Sequence, residues 1–229
     1  MLGGANDHGQ IGDGSLIDKL APIDVSALTS PVASVAAGGQ HTCALSRTGG
    51  VKCWGRNQEG ELGNGTFVDS LAPVDVNELT AGVAAITAGF THTCALTTAV
   101  KCWGYGNAVN PPFGSFFNLS TPIDVPGLRA GISVIAAGLS HTCALTSGGG
   151  AKCWGVNNTG ELGNGTTTTS GTVNVIGLGA GVVDISAGGF TSCARLTSGA
   201  VKCWGNNSNG QLGNGTQNTS TTPINVVGF

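Results

Sequence analysis

The residues best placed for chemistry are the eight cysteines, which fall into four pairs: Cys43/Cys53, Cys94/Cys102, Cys143/Cys153 and Cys193/Cys203. Three pairs are ten residues apart and one is eight. In an antiparallel hairpin, opposed residues share a constant index sum. Removing two residues from the turn keeps such a pair opposed, whereas an odd change would move its members to opposite faces. The spacing therefore predicts four cross-strand pairs. Directly opposed Cβ atoms lie about 4.5–5.5 Å apart, and a modest adjustment closes that gap to a disulfide. The alternative is four pairs of buried free thiols, since cysteine also serves as a small core residue. Zinc is disfavoured, because there is no Cys-x-x-Cys. Disulfides imply an oxidising compartment and so a secreted or cell-surface protein. Met1-Leu2-Gly3-Gly4 is not a signal peptide, so a leader is expected to have been cut or to lie upstream.

Other recurring groups invite chemical readings. His41, His92 and His141 recur at equivalent positions, as a metal or acid-base cluster would require. Trp54, Trp103, Trp154 and Trp204 recur too and are expected to be packing residues. Lys52, Lys101, Lys152 and Lys202 each precede a cysteine and are read as a solvated rim. With 9 Lys plus Arg against 12 acids and a net charge of −3, no nucleic-acid partner is expected. Asn64, Asn164 and Asn214 fit glycosylation sequons but belong to a turn that favours Asn and Gly. There is no Gly-x-Ser-x-Gly, no phosphate loop and no His-Glu-x-x-His, and the acids are scattered rather than paired. The chain is read as no enzyme, with no cofactor and no metal.

These residues sit in a repeat. Lys-Cys-Trp-Gly occurs four times, at intervals of 49, 51 and 50 residues. His-Thr-Cys-Ala-Leu precedes it three times, Gly-Asn-Gly-Thr follows at Gly63, Gly163 and Gly213, and Pro-(Ile/Val)-(Asp/Asn)-Val recurs at Pro22, Pro73, Pro122 and Pro223. A period near 50 without helical apolar spacing suits propeller blades. In the first full unit, strands are predicted at residues 32–38, 41–45, 51–55 and 73–76, which is four per blade. The fold is thus read as all-β, a β-propeller of four complete blades after an N-terminal partial blade. Residues 1–30 form the partial blade; residues 31–80, 81–130, 131–180 and 181–229 are the repeats, all within one domain. No run of residues approaches the roughly 18–20 unbroken apolar positions of a membrane helix.

Gly38 to Leu45, Trp54 to Asn57 and Gly60 to Gly65 resemble the regulator of chromosome condensation repeat, here in a form with paired cysteines like a secreted bacterial variant. The resemblance covers nearly the whole chain and implies a propeller. It also implies that each histidine caps or bridges backbone within its own blade. It leaves function open, because members of this family act differently on one scaffold.

One unit departs from the pattern. Where others read Gly-Glu-Leu-Gly-Asn-Gly-Thr, the second has Asn110-Pro111-Pro112-Phe113-Gly114-Ser115-Phe116-Phe117, at unchanged loop length. Tyr105, Phe113, Phe116 and Phe117 form a candidate interaction loop, since aromatic side chains on loops are common at interface hot spots. The expected role is a non-catalytic scaffold for protein or surface recognition, with a protein partner or self-association. A small GTPase is not an expected partner. The alternatives are a self-assembling fibre or surface layer and, more weakly, a carbohydrate-binding module, which would need exposed tryptophans.

Overall fold

A computed structural model describes residues 1–25, 27–109 and 117–228. Strands β1 (Leu2–Gly4) and β2 (Lys19–Ile23) pair as a short ribbon. Then come β3 (Val32–Ala37), β4 (His41–Ser46), β5 (Val51–Gly55) and β6 (Ser70–Asp75), which form one antiparallel sheet in chain order. The second sheet holds β7 (Ala85–Ala88), β8 (His92–Leu96), β9 (Val100–Gly104) and β10 (Leu119–Asp124), with the single turn of helix α1 (Gly106–Val109) after β9. The third has β11 (Ile132–Ala137), β12 (His141–Thr146), β13 (Ala151–Gly155) and β14 (Ser170–Asn174). The fourth has β15 (Val182–Gly188), β16 (Thr191–Leu196), β17 (Val201–Gly205) and β18 (Ser220–Asn225). The all-β, four-stranded-blade reading of the sequence is borne out. The outer strand begins earlier than predicted, at Ser70 rather than Pro73, because Gly55 pairs with Ser70 across a register shift.

The register follows from the repeat. Cys43 faces Cys53, Thr42 faces Trp54 and Ala44 faces Lys52. The corresponding residues pair identically in β12–β13 and β16–β17. Period-two alternation then sends Cys43 and Leu45 to one face of the sheet and Thr42 and Ala44 to the other.

Contacts divide the chain into two compact units. The first holds Met1–Thr97, Lys101–Tyr105 and Phe117–Ile123; the second holds Thr98–Val100 and Asp124–Phe229 together with α1. Each unit has its own core, lying between successive sheets. In the first, Cys43, Leu45, Val51, Cys53 and Leu62 meet Val83, Ala95 and Trp103 from the following repeat. In the second, Cys143, Leu145, Ala151, Cys153 and Leu162 meet Val182, Ile185, Ala194 and Trp204. Equivalent residues form both clusters, so one repeat unit encodes one sheet-to-sheet joint.

Candidate recognition surface

All eight cysteines are joined: Cys43–Cys53, Cys94–Cys102, Cys143–Cys153 and Cys193–Cys203. Each bond links two neighbouring strands of one sheet. By the chain-entropy estimate, closing such a short loop contributes about 3 kcal/mol.

His41 and His141 make a contact other than the one implied by the resemblance. His41 Nε2 lies 2.8 Å from the Thr93 hydroxyl of the next repeat, and His141 Nε2 lies 2.8 Å from that of Ser192. The Thr93 hydroxyl donates to the Glu61 carbonyl at 3.0 Å, and the Ser192 hydroxyl donates to that of Glu161 at 2.9 Å. A hydroxyl has one proton to give. Each imidazole Nε2–H must therefore be the donor, and the ring is a neutral bridge between sheets rather than a cap within its own. The correction has a steric basis. A Cβ on Gly38 would stand 2.2 Å from the His41 ring and 2.7 Å from the Gly89 carbonyl, so the spacing Gly-x-x-His lets the imidazole pack on bare backbone beside the next repeat. In the fourth repeat the register puts Thr191 at the histidine position, opposite Gly205 as His141 is opposite Gly155. Burial keeps both rings neutral, with pKa values lowered to about 4; for His41 the nearby Arg56 adds to the effect.

The tryptophans are wholly buried. Trp54 Nε1 donates to the Gln10 carbonyl at 2.9 Å, Trp103 to that of Glu61 at 2.6 Å and Trp204 to that of Glu161 at 2.8 Å. Each of these three indoles docks on the loop of the preceding repeat, at a glycine. A Cβ on Gly63 or Gly163 would stand 2.8 Å from the Nε1 of Trp103 or Trp204. The carbohydrate reading required exposed indoles and loses its stacking surface here.

One set of positioning residues escaped the sequence reading. Asn57, Asn157 and Asn207 have no exposed surface. Asn57 Oδ1 accepts the Leu62 N–H at 2.9 Å, and its Nδ2 donates to the carbonyls of Thr66 and Val68 at 3.0 and 3.1 Å. Asn157 and Asn207 repeat the pattern, and Asn6 makes it in the first loop. One amide therefore pins each loop across eleven residues (Asn57 to Val68). The available signal was the recurrence of Asn three residues after Trp. Within the turn, Asn64 Oδ1 accepts from the Thr66 N–H and hydroxyl, as its turn role demands.

In the second repeat the pinning position is Gly106. The loop that loses this amide is the one carrying the aromatic substitutions. Counted from the Trp-Gly pair, Pro112 stands where Gly63 and Gly163 receive an indole. Pro112, Phe113 and Phe116 lie outside the described residues. Trp154 Nε1, the indole of the next repeat, has no hydrogen-bond partner among the described residues. Of the candidate loop residues that are described, Tyr105 is half-buried and Phe117 is 77% exposed. The remaining described phenylalanines, Phe67, Phe90 and Phe190, are about half exposed (50%, 48% and 48%). No described phenylalanine is therefore a core residue, and each sits outside the regular strands.

Among the described residues, no group of three His, Cys, Asp or Glu side chains is placed to hold a metal ion. None of their helices is long and apolar enough to cross a membrane. Lys52 and Lys152 lie across the strand from Asp75 and Asn174, bonded at 2.7 and 2.8 Å.

Comparison with known proteins adds the following. A family model described as "Regulator of chromosome condensation (RCC1) repeat" matches residues 2–45, 48–96 and 198–229. A second model with the same description matches residues 32–61, 132–161 and 182–211. Human Regulator of chromosome condensation is 40% identical over 97 residues, covering 41% of this chain and 23% of that protein. The Ultraviolet-B receptor UVR8 of Arabidopsis thaliana is 35% identical over 96 residues, again 41% of this chain and 22% of the receptor. The matches thus span under a quarter of those relatives. Among solved structures, Prp20p of Saccharomyces cerevisiae superposes with a TM-score of 0.84 at 24% identity, over 97% of this chain and 57% of that one. Prp20p has been characterised for its binding to Gsp1p and histones.

Proposed function

Because this chain belongs to the RCC1 repeat family, we propose that it is a non-catalytic recognition scaffold working outside the cytoplasm, and that it captures a protein partner through the loop bearing Tyr105, Phe113, Phe116 and Phe117. The observation that carries this reading is the pairing of two changes in one repeat. The amide that pins the other loops is replaced by Gly106, and aromatic residues stand in the same segment of sequence. Phe117 at 77% exposure is costly to leave in water and effective when covered. The loop joins β9 and β10, two strands of one sheet, and a sheet scaffold that presents loops suits recognition. Four disulfides support an oxidising location. The mechanism is hydrophobic and steric capture, without bond chemistry. A small GTPase remains among the partners that the test can read.

The test places a photo-crosslinking phenylalanine analogue at position 117 and, as control, at exposed Val183. The chain is then exposed to the secreted and surface proteins of its source. A protein crosslinked from position 117, absent from the control, should be competed by unlabelled chain. It should not be competed by the Phe113→Ser/Phe116→Ser/Phe117→Ser variant. Equal crosslinking from both positions, or full competition by the variant, overturns the proposal.

A further inference from the structure

The loops pinned by Asn6, Asn57, Asn157 and Asn207 present the same two positions to solvent. They lie ten and eleven residues after the asparagine: Leu16-Ile17, Phe67-Val68, Thr167-Thr168 and Gln217-Asn218. The asparagine Nδ2 donates to the carbonyl of the second residue of each pair, so the main chain is held inward and the side chain is left outside. Exposure belongs to the position. Phe67 and Val68 share it with Thr167 and Thr168, in repeats that have further repeats before and after them in the chain. What changes is the chemistry. Leu16, Ile17, Phe67 and Val68 are apolar and 50–72% exposed, and Phe117 takes the second position of the next loop, whereas the later loops carry Thr, Gln and Asn.

The three apolar positions are neighbours within the first compact unit. The Gly14 N–H donates to the Leu71 carbonyl at 3.0 Å and the Gly65 N–H to that of Ser120 at 2.8 Å, so each loop hangs on the outer strand of the next sheet. His8 Nδ1 lies 3.0 Å from Asp69 Oδ2, and Asn118 Nδ2 donates to the Glu59 carboxylate. Asp69 follows Val68 and Asn118 follows Phe117, so each loop touches the residue beside the next apolar position. The border is acidic. Residues 5–19 and 56–70 hold six of the chain's twelve acids and two of its nine Lys plus Arg; residues 156–170 and 206–220 hold one acid and no base. Both bases are spoken for, Lys19 by Asp13 and Arg56 by Glu59 and Glu61, while Asp7 and Asp18 are exposed.

Resting on the reading of the Phe117 loop as a partner contact, we propose that Leu16-Ile17 and Phe67-Val68 continue that contact, and that the occupant is an extended protein segment in which apolar residues alternate with Lys or Arg. Neighbouring exposed apolar side chains mark an interaction surface, and covering them contributes about 25 cal/mol per Å². The segment is extended because it must pass from one repeat's loop to the next. It is basic because the carboxylates beside the apolar pairs have no free cation in their own loops, and complementary charge across an interface selects the partner. The same carboxylates repel nucleic acid and anionic lipid.

The experiment titrates three fluorescent peptides with the 229-residue chain and reads anisotropy: alternating Leu and Lys, alternating Leu and Glu, and alternating Ser and Lys. The Leu/Lys peptide should bind at least about tenfold more tightly than either other peptide, and salt should weaken it. Leu16→Ser/Ile17→Ser, Phe67→Ser/Val68→Ser and Phe117→Ser should each weaken it about tenfold, with circular dichroism confirming the fold. A photo-crosslinking phenylalanine analogue at position 67 should capture the peptide, and one at position 167 should not. Equal binding of the Leu/Glu or Ser/Lys peptide, or equal capture from positions 67 and 167, overturns the proposal. An effect of Phe117→Ser alone overturns it and leaves the Phe117 loop as the contact, whereas an effect of the other two variants without Phe117→Ser overturns both readings. Phosphatidylcholine vesicles that sediment with the wild type and not with Phe67→Ser/Val68→Ser would make the surface a lipid site, and self-association lost in that variant would make it a contact between copies; either overturns the proposal. Should a variant not fold, the crosslinking comparison decides alone.

Discussion

Acidification from about pH 7 to about pH 4.5 should weaken the fold through His41 and His141. Both rings are 1% exposed and titrate near 4 when folded, against 6.5 for an ordinary histidine, with burial the first cause in each case. Protonation would put a second N–H on Nδ1, and in His41 that atom has no hydrogen-bond partner among the described residues. Between those two values the unfolded chain binds a proton that the folded chain refuses. The stabilising contribution is therefore fully present above about 6.5 and is lost progressively as pH falls toward 4. At about 1.4 kcal/mol for each pH unit, the gap amounts to roughly 3 kcal/mol per ring, of which about 2 kcal/mol is gone by pH 4.5. Glu61 works in the opposite sense. Burial raises its pKa, so its ionisation opposes folding as pH rises, and acidification relieves that part. Single variants separate the contributions. His141→Gln keeps an N–H donor for Ser192 and removes the titrating ring. Urea midpoints at both pH values, for wild type and variant, give the difference. The acid-induced loss should be smaller by about 2 kcal/mol in the variant. Equal losses in the two proteins would refute the assignment of the ring as a buried neutral bridge.

Other consequences are open to direct measurement. Asn157→Ala removes the acceptor of the Leu162 N–H and the donor to the carbonyls of Thr166 and Thr168. It should cost about 3 kcal/mol in urea titration, since buried groups are left unpaired, and a loss below about 1 kcal/mol would deny the amide its pinning role. Gly163 has φ 64°, and a Cβ there would stand 2.8 Å from Trp204 Nε1 and 2.9 Å from Val175 Cγ1. Gly163→Ala should lower stability by roughly 2–4 kcal/mol, whereas Gly177→Ala, at φ 71° with nothing within 4 Å, should cost only about 1 kcal/mol of backbone strain. Equal thermal shifts for the two glycine variants would refute the indole seat.

Several of these features could be read from the chain alone. The disulfide pairing was legible because the deviation from ten to eight residues is even, and an even change preserves face and opposition in a hairpin. The strands β4 and β5 were legible because two short recurring runs without helical spacing flank a glycine turn at Gly49-Gly50. The start of β6 was not, since the register shift between Cys53 and Gly55 depends on pairing with the neighbouring strand. Asn57 was visible as a recurrence but not as an anchor, because its three partners lie five to eleven residues away and become neighbours only when the loop closes.

The period, the four-stranded blades and the sulfur pairing are properties of a single unit. Local spacing determines them, and four near-copies make the pattern unmistakable. What a side chain meets in the next unit is set by packing between sheets, some fifty residues away. Only the tertiary structure decided that the imidazoles of His41 and His141 bridge sheets, and which backbone carbonyls the buried indoles of Trp54, Trp103 and Trp204 meet.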